Sequence, residues 1–137
     1  MILLSDATRT TAAVLLFSLV TVETGGMYLV RLVRGSAAAT PFQLAFARAG
    51  HAHAAVLLVL SLVCLLLADA AAVTGVAGQA GRWLVPASAL LMPGGFFFSS
   101  LGNGRTSPNR FIALLWAGAA SLAAGLTALG IALVQAG

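Results

Sequence analysis

The stretch RAGHAHAAVLLVLSLVCLLLAD, residues 48–69, places both of the chain's histidines at the mouth of a long apolar run. Its apolar part has about the 20 residues that a helix rising 1.5 Å per residue needs to cross a hydrocarbon core about 30 Å thick. The rest of the 137-residue chain has the same character: it is 61% hydrophobic and 7% charged, with a mean hydropathy of +1.05. Soluble domains of ordinary composition do not reach such values. Apolar stretches recur at residues 11–30, 49–68, 83–101 and 111–134. The sequence therefore predicts one domain, 1–137, that is an all-α integral membrane protein. Its expected architecture is a four-transmembrane-helix bundle, with helices over about 11–33, 42–73, 83–101 and 108–134.

The first stretch reads as a mature helix and not as a signal peptide. Glu23 interrupts it, the apolar character continues to Val33, and no Ala-x-Ala-like cleavage site lies at a suitable place. The net charge of +4 comes from seven arginines and no lysine. They stand singly near span ends, where they anchor helices in the headgroup region, and they form no patch for a nucleic acid. Arg31, Arg34, Arg48, Arg105 and Arg110 flank the first and third connections, against Arg9 and Arg82 on the other side. The positive-inside rule then puts both termini outside the cytoplasm, and the expected location is a bacterial inner membrane. Cys64 is the single cysteine, so no intrachain disulfide is expected.

Local signals mark the helix ends. Thr40-Pro41 and Ser107-Pro108 each pair an N-cap hydroxyl with a proline suited to the first helical position. Residues 75–81 read as a tight Gly-rich loop, and GNGRTSPN as a turn. In the last helix, Ala117, Ser121 and Gly125 form one row of small residues at four-residue spacing, beside a second row at Ala120, Ala124, Ala128 and Ala132. Such rows let helix backbones approach closely in lipid. They predict a packing helix and a homo-oligomer or a membrane partner subunit.

Chemistry concentrates in a few residues. Glu23 lies eight residues before Arg31, roughly 12 Å inside the first span, and an intramembrane carboxylate marks a functional site by default because it must be paired or protonated. His53 lies at a similar depth on the second helix. It shares a face with Leu57, Ser61, Cys64 and Ala68, whereas His51, two residues away, points to nearly the opposite face. The spacing therefore predicts that His53 turns inward to Glu23 and that His51 is interfacial. In the third span Pro93, followed by Gly94 and Gly95, predicts a kink or local unwinding, with Met92 and Ser99 on the same polar and small face.

These residues support three readings. In the first, a proton, an ion or a small solute moves through a Glu23 and His53 site that Met92, Ser99 and the helix break complete. In the second, His51 or His53, with Met27 or Met92, binds haem or copper for electron transfer, sensing or delivery, since imidazole and soft sulfur suit copper. In the third, the protein is an accessory structural subunit. No CxxC, HExxH or Walker pattern is present, nor a nucleophile with a base at readable distance, so the sequence does not point to an enzyme. The segment GHAHAAVLLVL, residues 50–60, is similar to the His-x-His helix starts of small uncharacterised bacterial four-helix membrane proteins. More distantly it resembles the His-Ala-His stretches of the haem- and copper-binding membrane proteins of the nitric oxide response family. The latter resemblance implies a haem or copper site, which needs histidines on further helices that this chain lacks.

Overall fold

The computed structural model describes residues 4–136, and they form four helices: α1 Asp6–Val33, α2 Pro41–Ala70, α3 Gly75–Ser99 and α4 Ile112–Gln135. Three of them, α1, α2 and α4, are long and apolar enough to cross a membrane. The chain is thus a helical protein of membrane type. α3 falls outside that set by composition, since its 25 residues include Arg82, Pro86, Pro93 and several glycines and serines.

Helix starts follow local hydrogen bonding. Ser5 caps α1 by accepting from the Thr8 amide at 3.2 Å, so the helix begins before the apolar run does. Thr40 and Gln43 form a reciprocal capping box on α2, with Pro41 in the first turn as its sequence signal predicts. The parallel expectation at Ser107-Pro108 is not met. Asn109 instead docks on the end of α3: its amide donates to Ser99 O at 2.9 Å and its side chain to Phe98 O at 2.9 Å. This holds the segment off the helical path until Ile112. Residues 75–81 are likewise helix and not loop, which leaves only Ala71 to Thr74 to connect α2 with α3. Gly78 and Gly81 are buried there because Val73 and Leu129 press against them.

Each helix packs on the next: α1 on α2, α2 on α3, and α3 most extensively on α4. α1 does not pack on α4, so α1 stands at the edge of the array. Two apolar clusters fill it. One joins Leu15 of α1 to Leu57, Leu58 and Leu65 of α2 and Ala89 of α3; the other joins Cys64 and Ala68 to Val85 and Leu129.

The α3–α4 seam is built on glycine from both sides. A Cβ at Gly95 would collide with the backbone nitrogen of Leu115, and one at Gly118 would lie 2.5 Å from Met92 Cγ. At Gly81 it would lie 2.7 Å from Leu129 Cβ, and at Gly125 2.9 Å from Val85 Cγ2. Ser121 adds a hydrogen bond across the seam, donating to Leu84 O at 2.8 Å. In lipid, where apolar tails compete for apolar side chains, this close approach and its dispersion contacts drive helix association. The row at Ser121 and Gly125 is thus a packing row, joined by Gly118 and Leu129, whereas Ala117, Ala120 and Ala124 face outward. α3 also runs helical through both Pro86 and Pro93. The unwinding expected at Pro93, Gly94 and Gly95 does not occur, and Gly95 instead gives a close contact with α4.

Gly95→Ala or Gly118→Ala is expected to lower stability by about 1–3 kcal/mol through overpacking. Gly130, which has nothing within 4 Å, should tolerate alanine or gain slightly from the better helix former. Unfolding by sodium dodecyl sulfate in maltoside micelles separates these outcomes, and equal effects at the three positions would refute the glycine seam.

Candidate functional site

Because α2 lies between α1 and α3, both faces of its first half are covered, and the two histidines part company there. His51 faces α1. Its ring lies across Gly25 and Gly26, where added Cβ atoms would come within 3.5 Å of Nδ1 and 3.3 Å of Cε1. The glycine pair makes the notch that admits the imidazole. His53 faces α3, its ring centroid 5.0 Å from that of Phe96. Its Nδ1 is 2.7 Å from Ala49 O; a carbonyl only accepts, so Nδ1 carries the proton and donates. Phe96 packs edge-on against Phe46 at 5.4 Å, and Gly50 lets Phe96 and Phe97 approach α2.

The opposite orientation of the two rings follows the i, i+2 geometry read from the sequence. The expected pairing of Glu23 with His53 does not form. Glu23 is about 200° around the helix from Gly25 but only about 60° from Gly26, which puts it at the flank of the face that α1 packs on α2. It is exposed, and among the described residues it makes no hydrogen bond or salt bridge. Met27, one turn on, is 63% exposed. Met92 packs against Gly118, and Ser99 is fully buried with its hydroxyl 3.3 Å from Phe96 O.

The proposed haem or copper ligands are therefore dispersed. His51 and His53 lie on opposite sides of α2, Met27 on the outer face of α1 and Met92 in the α3–α4 seam. Among the described residues, no three His, Cys, Asp or Glu side chains gather as metal ligands would. This donor set does not fit a haem or a copper ion within one chain. Between α1 and α3, above α2, runs a groove of about 260 Å³ bordered by Ser18, Thr21, Gly25, His51, Pro93 and Phe97. Its two hydroxyls are already committed, Ser18 to Val14 O at 2.8 Å and Thr21 to Ser18 O at 2.6 Å.

The most strongly built polar site lies at the other end of the array, and the sequence reading passed over it. Asp69 in the last turn of α2 pairs with Arg82 of α3 at 2.5 Å, with side chains only 4% and 15% exposed. The Ser5 amide donates to Asp69 Oδ2 at 2.9 Å, and Arg82 Nη1 also donates to Thr8 Oγ1 at 3.0 Å. Thr8 is itself 1% exposed. Three helices are thus tied together at one point. The available signal was that Asp69 and Arg82 flank the α2–α3 connection; reading residues 75–81 as loop hid their proximity.

At the opposite end Gln43 ties α2 to the α3–α4 connection, donating to Ser100 O at 3.0 Å and Gly102 O at 2.7 Å, while the Thr40 hydroxyl donates to Arg105 O. Comparison with known protein families, with curated proteins and with solved structures finds no match to this chain.

Arg82→Met, which leaves Asp69 buried and unpaired, is expected to cost about 3–5 kcal/mol. Replacing both partners, by Asp69→Leu with Arg82→Met, should restore a large part of that loss. A double-mutant cycle read by detergent unfolding tests this, and strictly additive losses would show that the pair is not coupled.

Proposed function

We propose that this protein is a membrane-embedded subunit that presents an intramembrane carboxylate, Glu23, to a transmembrane helix of a different chain. The observation that carries this reading is the exposure of Glu23 on a helix whose one extensive packing neighbour is α2. A carboxylate facing lipid costs several kcal/mol unless it is protonated or given a donor. Within the chain the arginines stand near helix ends, and His51 and His53 lie in the α1–α2 and α2–α3 seams. A second copy would therefore bring Glu23 no cation at its own depth, which favours a different chain carrying the donor.

α3 is the fourth span in this reading. It lies between α2 and α4, which cover Ser88, Ser99 and Pro93, so it faces lipid less than its composition would otherwise require. Four spans put both termini on one side, and the five-to-two arginine bias makes that side external, as in a bacterial inner membrane. Carriage of a proton or solute by the isolated chain has less support, because Glu23 does not face the groove between α1 and α3. Haem or copper binding would need ligands from another subunit.

A photoreactive residue at Val20 or Met27, activated in native membranes, is expected to yield a discrete adduct with a different membrane protein; one at Leu90 should label only lipid. Lipid adducts alone at Val20 and Met27, or a homodimer as the sole protein product, would overturn the proposal.

A further inference from the structure

Arg82 of the Asp69–Arg82 clamp lines a cavity of about 330 Å³ where the N-terminal ends of α1 and α3 meet. Thr8 and Thr11 enter it from α1, and Thr74, Gln79, Arg82 and Trp83 from the start of α3. The two charges of the clamp are not equally presented. Arg82 lines the cavity and Asp69 does not, since the carboxylate is turned to the Ser5 amide and to Arg82 Nη1. No acidic residue lines the cavity.

The guanidinium is also only partly used. Both of its protein contacts, to Asp69 and to Thr8, run through Nη1, leaving Nε and Nη2 without a protein partner among the described residues. Among the described residues, no buried side-chain nitrogen or oxygen lacks a partner. Neither of these nitrogens is therefore fully enclosed, on a side chain that is 15% exposed overall. Beside them the first turn of α3 has no side-chain cap: Thr74 makes no capping bond, and Gly75, at φ +75°, lines the cavity. The orphan amides of that turn add positive potential to the same space.

We propose that this cavity binds an oxyanion of the phosphate class, held by Arg82 Nε and Nη2 and by the first-turn amides of α3. An arginine fixed from behind by its own carboxylate, with donors left over, is preorganised for such a group. Trp83, 58% exposed, stands at the rim, where indole rings prefer the headgroup level of a membrane. The phosphate can be that of a lipid headgroup or free in solution.

The test uses the full chain in dodecyl maltoside, which contains no phosphate, with Trp116→Phe so that Trp83 reports alone. Inorganic phosphate, or phosphatidylglycerol in mixed micelles, is expected to change Trp83 fluorescence saturably, whereas chloride at matched ionic strength does not. A response to phosphatidylglycerol alone assigns the lipid headgroup, and a response to inorganic phosphate alone assigns the free anion. Gln79 is exposed at the cavity and outside the clamp, so its charge can be changed with the clamp intact. Gln79→Glu should weaken binding about tenfold and Gln79→Lys tighten it by a similar factor, as expected for a unit charge near the site. The proposal is overturned if neither ligand gives a saturable change, or if both Gln79 variants, with unligated stability unchanged, bind as the parent does.

Discussion

The backbone-to-backbone approach of α3 and α4 is the contact on which the rest of the structure depends. A lipid solvent offers helices no hydrophobic incentive to associate, so the first pair must gain from packing density. Glycines on both helices supply it: Gly81 and Gly95 of α3 meet Leu129 and Leu115 of α4, and Gly118 and Gly125 of α4 meet Met92 and Val85 of α3. Fixing α3 in this way gives α2 a surface of Val85, Ala89 and Phe96 to pack on. α1 then packs mainly on α2, with lighter contacts to α3. Its position is set by Leu15, by the His51 notch at Gly25 and Gly26, and by the Ser5 and Thr8 bonds to the Asp69–Arg82 clamp.

Polar groups divide accordingly. Those at the two ends of the array are bonded between elements, through Asp69 and Arg82 at one end and Thr40, Gln43 and Asn109 at the other. Hydroxyls within the helices mostly bond their own backbone: Ser18, Thr21, Thr24, Ser61 and Ser88 donate to carbonyls three or four residues back. This is how an apolar solvent tolerates them. Glu23 is the one carboxylate among the described residues with neither a hydrogen bond nor an ion pair, since Asp6 and Asp69 are each paired with an arginine, and that isolation gives it significance.

The sequence made the helices legible because apolar runs of this length have few other uses. It also made the divergence of His51 and His53 legible, since helical rotation alone decides it. Which neighbour each histidine meets was not legible, because one helix's periodicity says nothing about the order in which helices pack. The inward choice of His53 takes one face of α2 to be inside. In the structure α1 and α3 cover both faces of its first half. The glycines of residues 75–81 suggest a loop through their conformational freedom, whereas Gly78 and Gly81 are needed for their small size inside a helix. That substitution of one property of glycine for another concealed the Asp69–Arg82 clamp as well.

The central claim is that α1 is an edge helix on which Glu23 is exposed. A nitroxide scan over residues 15–28, in a Cys64→Ala background and lipid nanodiscs, tests it through collisional accessibility to oxygen. The account predicts a helical period, with maxima at Phe17, Val20, Glu23 or Thr24, and Met27, and minima at Leu15, Leu19, Val22 and the pair Gly25 and Gly26. A minimum at Glu23 with a maximum at Gly25 and Gly26 would contradict it.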